Sequence, residues 1–148
     1  MGTYETLNDV LVNLFRDILG IEQKAVRTPG YPDITSNDMH VIEAIGLGEP
    51  KNMSSIARTL SVTVGTLTIS MNSLVKKGYV VRQRSEADRR VVLVSLSEKG
   101  REVFEHHANF HKAMIDGISE ELTPQELEVL VKAVTKLNSW FREFEEKN

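Results

Sequence analysis

Residues 61–78 constrain the fold most, because this stretch is compatible with two different secondary structures. Its first ten residues, SVTVGTLTIS, alternate β-branched and polar side chains, a composition that favours a strand. Over the whole stretch, however, apolar residues recur at spacings of three, four and three positions: Val64, Leu67, Met71 and Leu74. Such spacing places them on one face of a helix. Thr63 suits the helix start and Gly78 its end, so the sequence predicts a helix over residues 64–77.

A β-hairpin is predicted directly after this helix. Within residues 80–100, two runs of β-branched residues flank a polar segment of six residues, Ser85–Arg90. A short helical pattern around Ser55–Leu60 and a turn at Ser61–Val62 precede the helix. A helix-turn-helix followed by a basic hairpin is a winged helix-turn-helix, in which the hairpin is the wing.

Further helices are predicted on both sides of this unit. One covers residues 4–26 and is ended by Pro29, and a second begins after Thr35. A long helix begins after Ser97, and a capping box, TPQE at 123–126, opens the last one. The stripe of the last helix has the alternating spacing of a coiled-coil seam: Leu127, Leu130, Val134, Leu137, Phe141 and Phe144. The predicted fold class is mostly α with a small β-hairpin wing, a winged helix-turn-helix flanked by long helices.

Charge is distributed unevenly along the chain. The net charge is −3 and the pI about 5.8, yet residues 51–101 hold ten Lys/Arg against three Asp/Glu. That segment is therefore +7 and the remainder is −10. This asymmetry is typical of a nucleic-acid-binding module on an acidic body. A solvated basic face without a partner would show the same charges, so the residues themselves must distinguish the two.

Composition argues against other classes of protein. The absence of cysteine excludes disulfides and thiolate metal sites. The sequence contains neither a Gly-rich phosphate loop nor a supported Ser–His–Asp arrangement, so we expect no enzyme, no catalytic residue and no cofactor. No apolar run of 18 residues and no signal-peptide pattern occur, so a cytoplasmic protein without membrane contact is expected.

The candidate DNA-reading residues of the 64–77 helix lie opposite its apolar stripe. Their side chains are short and none is acidic, which would let the helix sit deep in a major groove. Gly65 would allow close backbone approach, and Asn72 could read adenine. The full set is Thr63, Gly65, Thr66, Thr68, Ile69 and Asn72.

The wing supplies a second candidate set. Arg82 and Arg84 alternate along one strand, as phosphate contacts would. Asp88 and Arg90 lie two residues apart at the tip, where the carboxylate could hold the arginine extended into a narrow minor groove. The complete wing set is Arg82, Arg84, Asp88, Arg89 and Arg90. An exposed hairpin with weak ion pairs is the alternative interpretation.

The segment LSVTVGTLTISMNSLVKKGYVVRQRSEADRRVVLVSLSEKG, residues 60–100, resembles the winged-helix core of the MarR family of bacterial transcriptional regulators. The D-x-R wing signature corresponds to Asp88–Arg90, and the L-[ST]-E-K-G entry to the next helix corresponds to Leu96–Gly100. The resemblance implies a homodimer that regulates transcription, as a repressor, on an inverted-repeat operator. Family members often have Arg at the position of Ile69, so base readout by this helix is expected to be weaker.

The resemblance also implies a division of the chain, which we expect to be a single domain over 1–148. Residues 35–97 would form the winged helix-turn-helix, and residues 1–30 and 98–148 the helical dimerisation part. The residues implied in dimerisation are Leu7, Leu11, Leu14, Leu130, Val134, Leu137 and Phe141.

Three segments, DMHVIEAIG (38–46), VGTLTISMNSL (64–74) and FHKAM (110–114), are similar to the fatty-acid-synthesis repressors of streptococci and relatives. That resemblance implies acyl carrier protein bearing a long acyl chain as co-repressor. An acyl chain would occupy an apolar pocket between the first, second and fifth helices. The implied effector-pocket residues are Met39, His40, Phe104, His107 and His111.

Metal sensing remains an alternative function on the same fold. His107 and His111 have i,i+4 spacing on one helical face, which can place two imidazoles on one zinc ion. His40 and Glu22 could join them if the helices converge. Histidines hydrogen-bonded within the interior, or lining an effector pocket without metal, are the competing interpretation, and we favour it.

Overall fold

The computed structural model describes residues 2–27 and 30–148, and within these ranges it contains six helices and three strands. In chain order they are α1 (Thr3–Val26), α2 (Ser36–Ile45), β1 (Lys51–Asn52), α3 (Met53–Leu60), α4 (Val64–Lys77), β2 (Val80–Arg84), β3 (Val92–Leu96), α5 (Glu98–Glu121) and α6 (Pro124–Lys147). The predicted winged helix-turn-helix is confirmed. The expected helix break at Pro29 lies outside the described residues. None of the described helices is long and apolar enough to span a bilayer.

The segment with ambiguous propensity forms a helix because both of its ends are satisfied. The hydroxyl of Thr63 accepts a hydrogen bond from the Thr66 backbone N–H at 3.1 Å. Gly78 ends α4 in the left-handed region, with φ of 88° and its N–H directed to helix carbonyls. Three members of the apolar stripe are buried: Leu67, Met71 and Leu74. The predicted helix over 64–77 is confirmed.

The wing belongs to a three-stranded antiparallel sheet in the order β1-β3-β2. In the hairpin, Val80 pairs with Leu96 and Arg84 with Val92. The two-residue β1 pairs Lys51 with Val94 on the other side of β3. Sequence reasoning missed β1, because a strand of two residues has no periodicity. Since β2 is an edge strand, its arginines also oppose pairing with another sheet edge.

The chain divides into two compact units, Met1–Ala108 and Asn109–Asn148, with the boundary inside α5. The first unit contains the hydrophobic core, formed mainly by α2, α3, α4 and the sheet. Its largest fully buried side chain is Tyr79. In the second unit, Thr123 and Glu126 form the predicted capping box of α6, and Trp140 stacks on Phe144. The single-domain assignment and the boundaries at 35 and 97 stay predictions.

Gly100 in α5 packs so closely against the backbone of Tyr79, the residue before β2, that a side chain cannot fit there. A Cβ at Gly100 would lie 2.1 Å from the Tyr79 carbonyl oxygen, whereas a Cβ at Gly117 in the same helix would meet nothing within 4 Å. We therefore expect Gly100→Ala to lower the free energy of unfolding by about 1–3 kcal/mol. Gly117→Ala should raise it by about 0.5–1 kcal/mol through helix propensity. Urea unfolding measures both, and equal effects would contradict the packing argument.

Candidate nucleic-acid interface

The surface of α4 opposite the core is exposed and contains no acidic residue. Five of the six predicted helix residues are exposed: Thr63, Gly65, Thr66, Ile69 and Asn72. Ile69 stands out, with 74% of its surface accessible. Thr68 differs because it is half-buried and its hydroxyl donates to the Val64 carbonyl at 2.8 Å. Its hydroxyl is therefore engaged by its own helix.

Gly65 has no packing reason to be glycine among the described residues. A Cβ there would meet only the Thr63 hydroxyl, at an ordinary 3.9 Å. Alanine would favour the helix, so the fold gains nothing from glycine at this position. What glycine does provide is open backbone near the start of α4, where unsatisfied N–H groups can face an anion.

Polar contacts fix the carboxyl end of α4 to α2 and to the segment between α1 and α2. Lys77 Nζ donates to Asp38 Oδ2 at 2.8 Å and to the Asp33 carbonyl at 2.7 Å. The Tyr79 hydroxyl donates to Asp33 Oδ1 at 2.5 Å. That hydrogen bond holds the pKa of the Asp33 carboxyl below its usual range, while burial raises the pKa of the Tyr79 hydroxyl. Sequence reasoning did not single out these contacts, since Asp33 and Tyr79 are 46 positions apart.

The wing tip has the predicted arrangement of a carboxylate and an arginine. Arg90 Nε and Nη2 donate to the two oxygens of Asp88, each at 3.1 Å, and the Arg90 backbone N–H donates to Oδ1. These bonds lower the pKa of the Asp88 carboxyl, so it stays ionised. The Arg90 side chain is nevertheless 91% exposed. It is held in position without being buried.

Two arginines of β2 have different partners. Arg84 Nη1 donates to the Arg89 carbonyl at 2.9 Å, a contact within the wing. Arg82 Nη1 instead donates to Asn72 Oδ1 of α4 at 2.6 Å. The predicted helix and wing residues are therefore joined directly, which the sequence did not indicate because the two side chains lie on different elements.

A small cavity lies between α1 and α2. It has a volume of about 110 Å³ and is lined by Leu19, Glu22, Gln23, Val26, Ser36, Met39 and His40. Two predicted effector-pocket residues, Met39 and His40, thus line it. Phe104 of α5 packs against the hydrophobic core and is not among the residues that line this cavity. A depression of about 590 Å³ shares Gln23, Val26 and Ser36 with it and extends to Pro32 and Ile34.

His107 is buried between two carboxylates. Its Nε2 lies 2.8 Å from Glu43 Oε1 and 3.5 Å from Glu22 Oε1. The predicted partner His40 is not a member of this group among the described residues, and Glu43, which sequence reasoning missed, takes that place. His111 is one turn further along α5, in the second unit, and is half-buried.

A family model described as transcriptional regulator SarA/Rot matches residues 31–107, just over half of the chain. The matched segment contains the complete helix-turn-helix and the wing. The protein is thus a winged-helix transcriptional regulator of the MarR type. Within that class, the chain belongs to the SarA/Rot family.

Individual relatives agree with this assignment. The transcriptional regulator SarZ of Staphylococcus saprophyticus is 32% identical over 90 residues, which are 61% of this chain and 62% of SarZ. The chain spans about three fifths of the length of such curated relatives. The crystal structure of Streptococcus pneumoniae FabT in complex with DNA has a TM-score of 0.89 and 38% identity, covering 95% of this chain and 99% of that one. A mutant MarR from E. coli complexed with operator DNA shares the fold, with a TM-score of 0.63, 24% identity, and coverage of 93% and 99%.

Tyr79→Phe removes the hydroxyl that donates to Asp33 and keeps the buried ring. We expect the free energy of unfolding to fall by about 0.5–1.5 kcal/mol near neutral pH, as for a typical hydrogen bond. The bond lowers the pKa of Asp33 from its ordinary value of 3.8. Its contribution is therefore complete above that pH and is lost as the pH falls through the lower pKa of the folded state. Urea unfolding near neutral pH and at about pH 3 should show the difference shrinking in acid, and a constant difference would contradict this account.

Proposed function

We propose that the protein is a sequence-specific DNA-binding repressor that acts as a homodimer on an inverted-repeat operator. One observation carries the proposal: an exposed, acid-free α4 surface lies beside a basic wing in which Asp88 holds Arg90. A helix of this kind reads base edges in a major groove, and wing arginines contact phosphates or a narrow minor groove. The relatives described in complex with DNA support this function.

A second copy of the chain is the partner that we propose for α1 and α6. Of the 24 residues in each helix, α1 buries only Val26 and α6 buries none among the described residues. Apolar residues exposed on long helices need a partner to cover them. A two-fold dimer also places two α4 helices as an inverted repeat requires. The residues assigned to the dimer contact are all exposed: Leu7, Leu11, Leu14, Leu130, Val134, Leu137 and Phe141.

Arg84→Ala tests DNA binding through the wing. The operator is first selected from random DNA, and its two half-sites should lie about 34–36 Å apart, one helical turn. Because Arg84 would contact a phosphate, its loss should weaken binding to all sequences and reduce the slope of log affinity against log salt by about one unit. Fluorescence anisotropy at several salt concentrations measures both effects.

Glu86→Ala is the matched control for this experiment. Glu86 is exposed in the same wing, and its removal takes away a negative charge, so affinity should not fall. Sedimentation in the same buffers should give two chains per operator. A monomer on DNA, or equal salt slopes for the original protein and Arg84→Ala, would overturn the proposal.

The effector that we propose is a long acyl chain delivered by acyl carrier protein, acting as co-repressor. The resemblance of three sequence segments to fatty-acid-synthesis repressors supports it, as does the apolar part of the cavity wall, with Leu19, Val26 and Met39. Each buried methylene would contribute about 0.8 kcal/mol. The cavity of about 110 Å³ is smaller than common ligand pockets of roughly 300–1,000 Å³, so the chain would have to extend into the adjoining depression.

Zinc is the alternative effector, and the group formed by Glu22, Glu43 and His107 is the observation that favours it. Zinc requires three or four ligands at about 2.0–2.2 Å, and without cysteine they must be His and carboxylate. The same contacts are expected when a buried histidine is simply held by two carboxylates. We favour this second explanation, in which no metal is bound. His107 then supports the proposed pocket through its contact with Glu22, which lines the cavity.

The two effectors can be compared on one selected operator. Acyl carrier protein carrying a long acyl chain should tighten binding at least about tenfold, a coupling free energy of about 1.4 kcal/mol, whereas buffered zinc and chelator should have no effect. Acyl carrier protein without its acyl chain is the control, because it separates an effect of the carrier protein from an effect of the acyl chain. Leu19→Trp, which fills the cavity, should remove the response. A tenfold effect of zinc with none of the acylated carrier would overturn the lipid proposal.

A further inference from the structure

Arg82 and Asn72 form the direct contact between the wing and the exposed side of α4. The Arg82 guanidinium donates from Nη1 to Asn72 Oδ1 at 2.6 Å, and both residues are exposed. Arginine has only donors, so the amide must turn its oxygen toward the guanidinium. The contact therefore defines which end of the Asn72 amide faces the wing and which end is left for a partner.

This orientation changes what Asn72 can read. Pairing of asparagine with adenine needs the amide oxygen to accept from the adenine amino group while the amide nitrogen donates to N7. In this structure that oxygen is turned toward the Arg82 guanidinium, and one of its two lone pairs already accepts from it. The amide NH₂ group then remains as a donor, beside a guanidinium that is itself composed of donors.

We propose that Arg82 is a positioning residue that makes Asn72 a hydrogen-bond donor, so that the pair selects keto bases over amino bases at one operator position. In the major groove, guanine O6 and thymine O4 are acceptors, whereas adenine N6 and cytosine N4 are donors. A surface made of donors matches guanine O6 and thymine O4, whereas it meets a like donor at adenine N6 and cytosine N4; the N7 acceptor of adenine is present on guanine as well and so does not favour adenine. This inference rests on the proposed function, since it concerns how the same surface discriminates among DNA sequences.

Arg84 provides the matched control within the same strand. It has the same charge, lies two positions from Arg82 in β2, and is also exposed. Its guanidinium contacts the Arg89 carbonyl in the wing rather than α4. A general loss of positive charge therefore affects both variants, and only a loss of amide orientation is specific to Arg82→Ala.

The experiment measures operator affinity for the full chain and for Arg82→Ala, Asn72→Ala, Arg84→Ala and the Arg82→Ala/Asn72→Ala double variant. The DNA panel contains the selected operator, each single base-pair substitution made in both half-sites, and random DNA. Because the substituted side chains are exposed, circular dichroism should show unchanged folding.

The original protein should prefer guanine or thymine over adenine or cytosine about tenfold at one position in each half-site. Arg82→Ala and Asn72→Ala should each reduce that preference to within about twofold at the same position, and the double variant should lose no more than either alone. Arg84→Ala should keep the preference while weakening binding to the entire panel.

Two results would overturn the inference and leave the function intact. One is that the original protein binds the operator specifically, but Arg82→Ala loses affinity uniformly across the DNA panel, as Arg84→Ala does. The other is loss of preference at different positions in Arg82→Ala and Asn72→Ala, or a preference for adenine in the original protein that depends on Asn72. Equal affinity of the original protein for the operator and for random DNA would instead refute the proposed function itself.

Discussion

The winged-helix part depends on the junction at Tyr79, where α4 ends and the wing begins. The Tyr79 ring is fully buried, its N–H donates to the Leu74 carbonyl, and its own carbonyl accepts from the Ser97 N–H at 3.0 Å. Its hydroxyl reaches Asp33. One residue thus connects the end of α4, the start of α5 and the segment before α2. The close approach of Gly100 to the same carbonyl completes the junction, and it sets the wing beside α4 before any DNA is present.

The basic wing on an acidic chain is consistent with short-range electrostatics. At physiological ionic strength charges are screened over about 8 Å, so a phosphate near the wing responds mainly to the arginines beside it and little to the net charge of −3. Asp88 is one of two acidic residues in the wing, and its two side-chain bonds to Arg90 convert a repulsive charge into a support for a cation. Arg82 and Arg84 have the same charge but different partners, so electrostatics alone does not distinguish their roles.

Features that depend on local pattern could be predicted from the sequence. The 64–77 helix followed from apolar spacing and caps despite its strand-like composition, and the capping box at Thr123 followed in the same way. The Asp88–Arg90 contact was predictable because two positions separate the partners. Contacts between distant segments were not: Glu43 replaces the expected His40 beside His107, and the Arg82–Asn72 bond depends on how the hairpin returns toward α4. Only the packed core determines those distances.

The segment before α2 has a double role that relates the proposed effector to the proposed interface. Pro32 and Ile34 line the depression that adjoins the cavity, while Asp33 between them contacts both Lys77 and Tyr79. Chain connectivity means that a ligand displacing Pro32 or Ile34 must also move Asp33 or break its bonds. To shift α4, such a ligand must bind with different free energies to the protein with the Asp33 hydrogen bonds intact and to the protein with those bonds broken. The hydrogen bonds at Asp33 are individually small, so an effector coupling of about 1–3 kcal/mol would be sufficient to rearrange them.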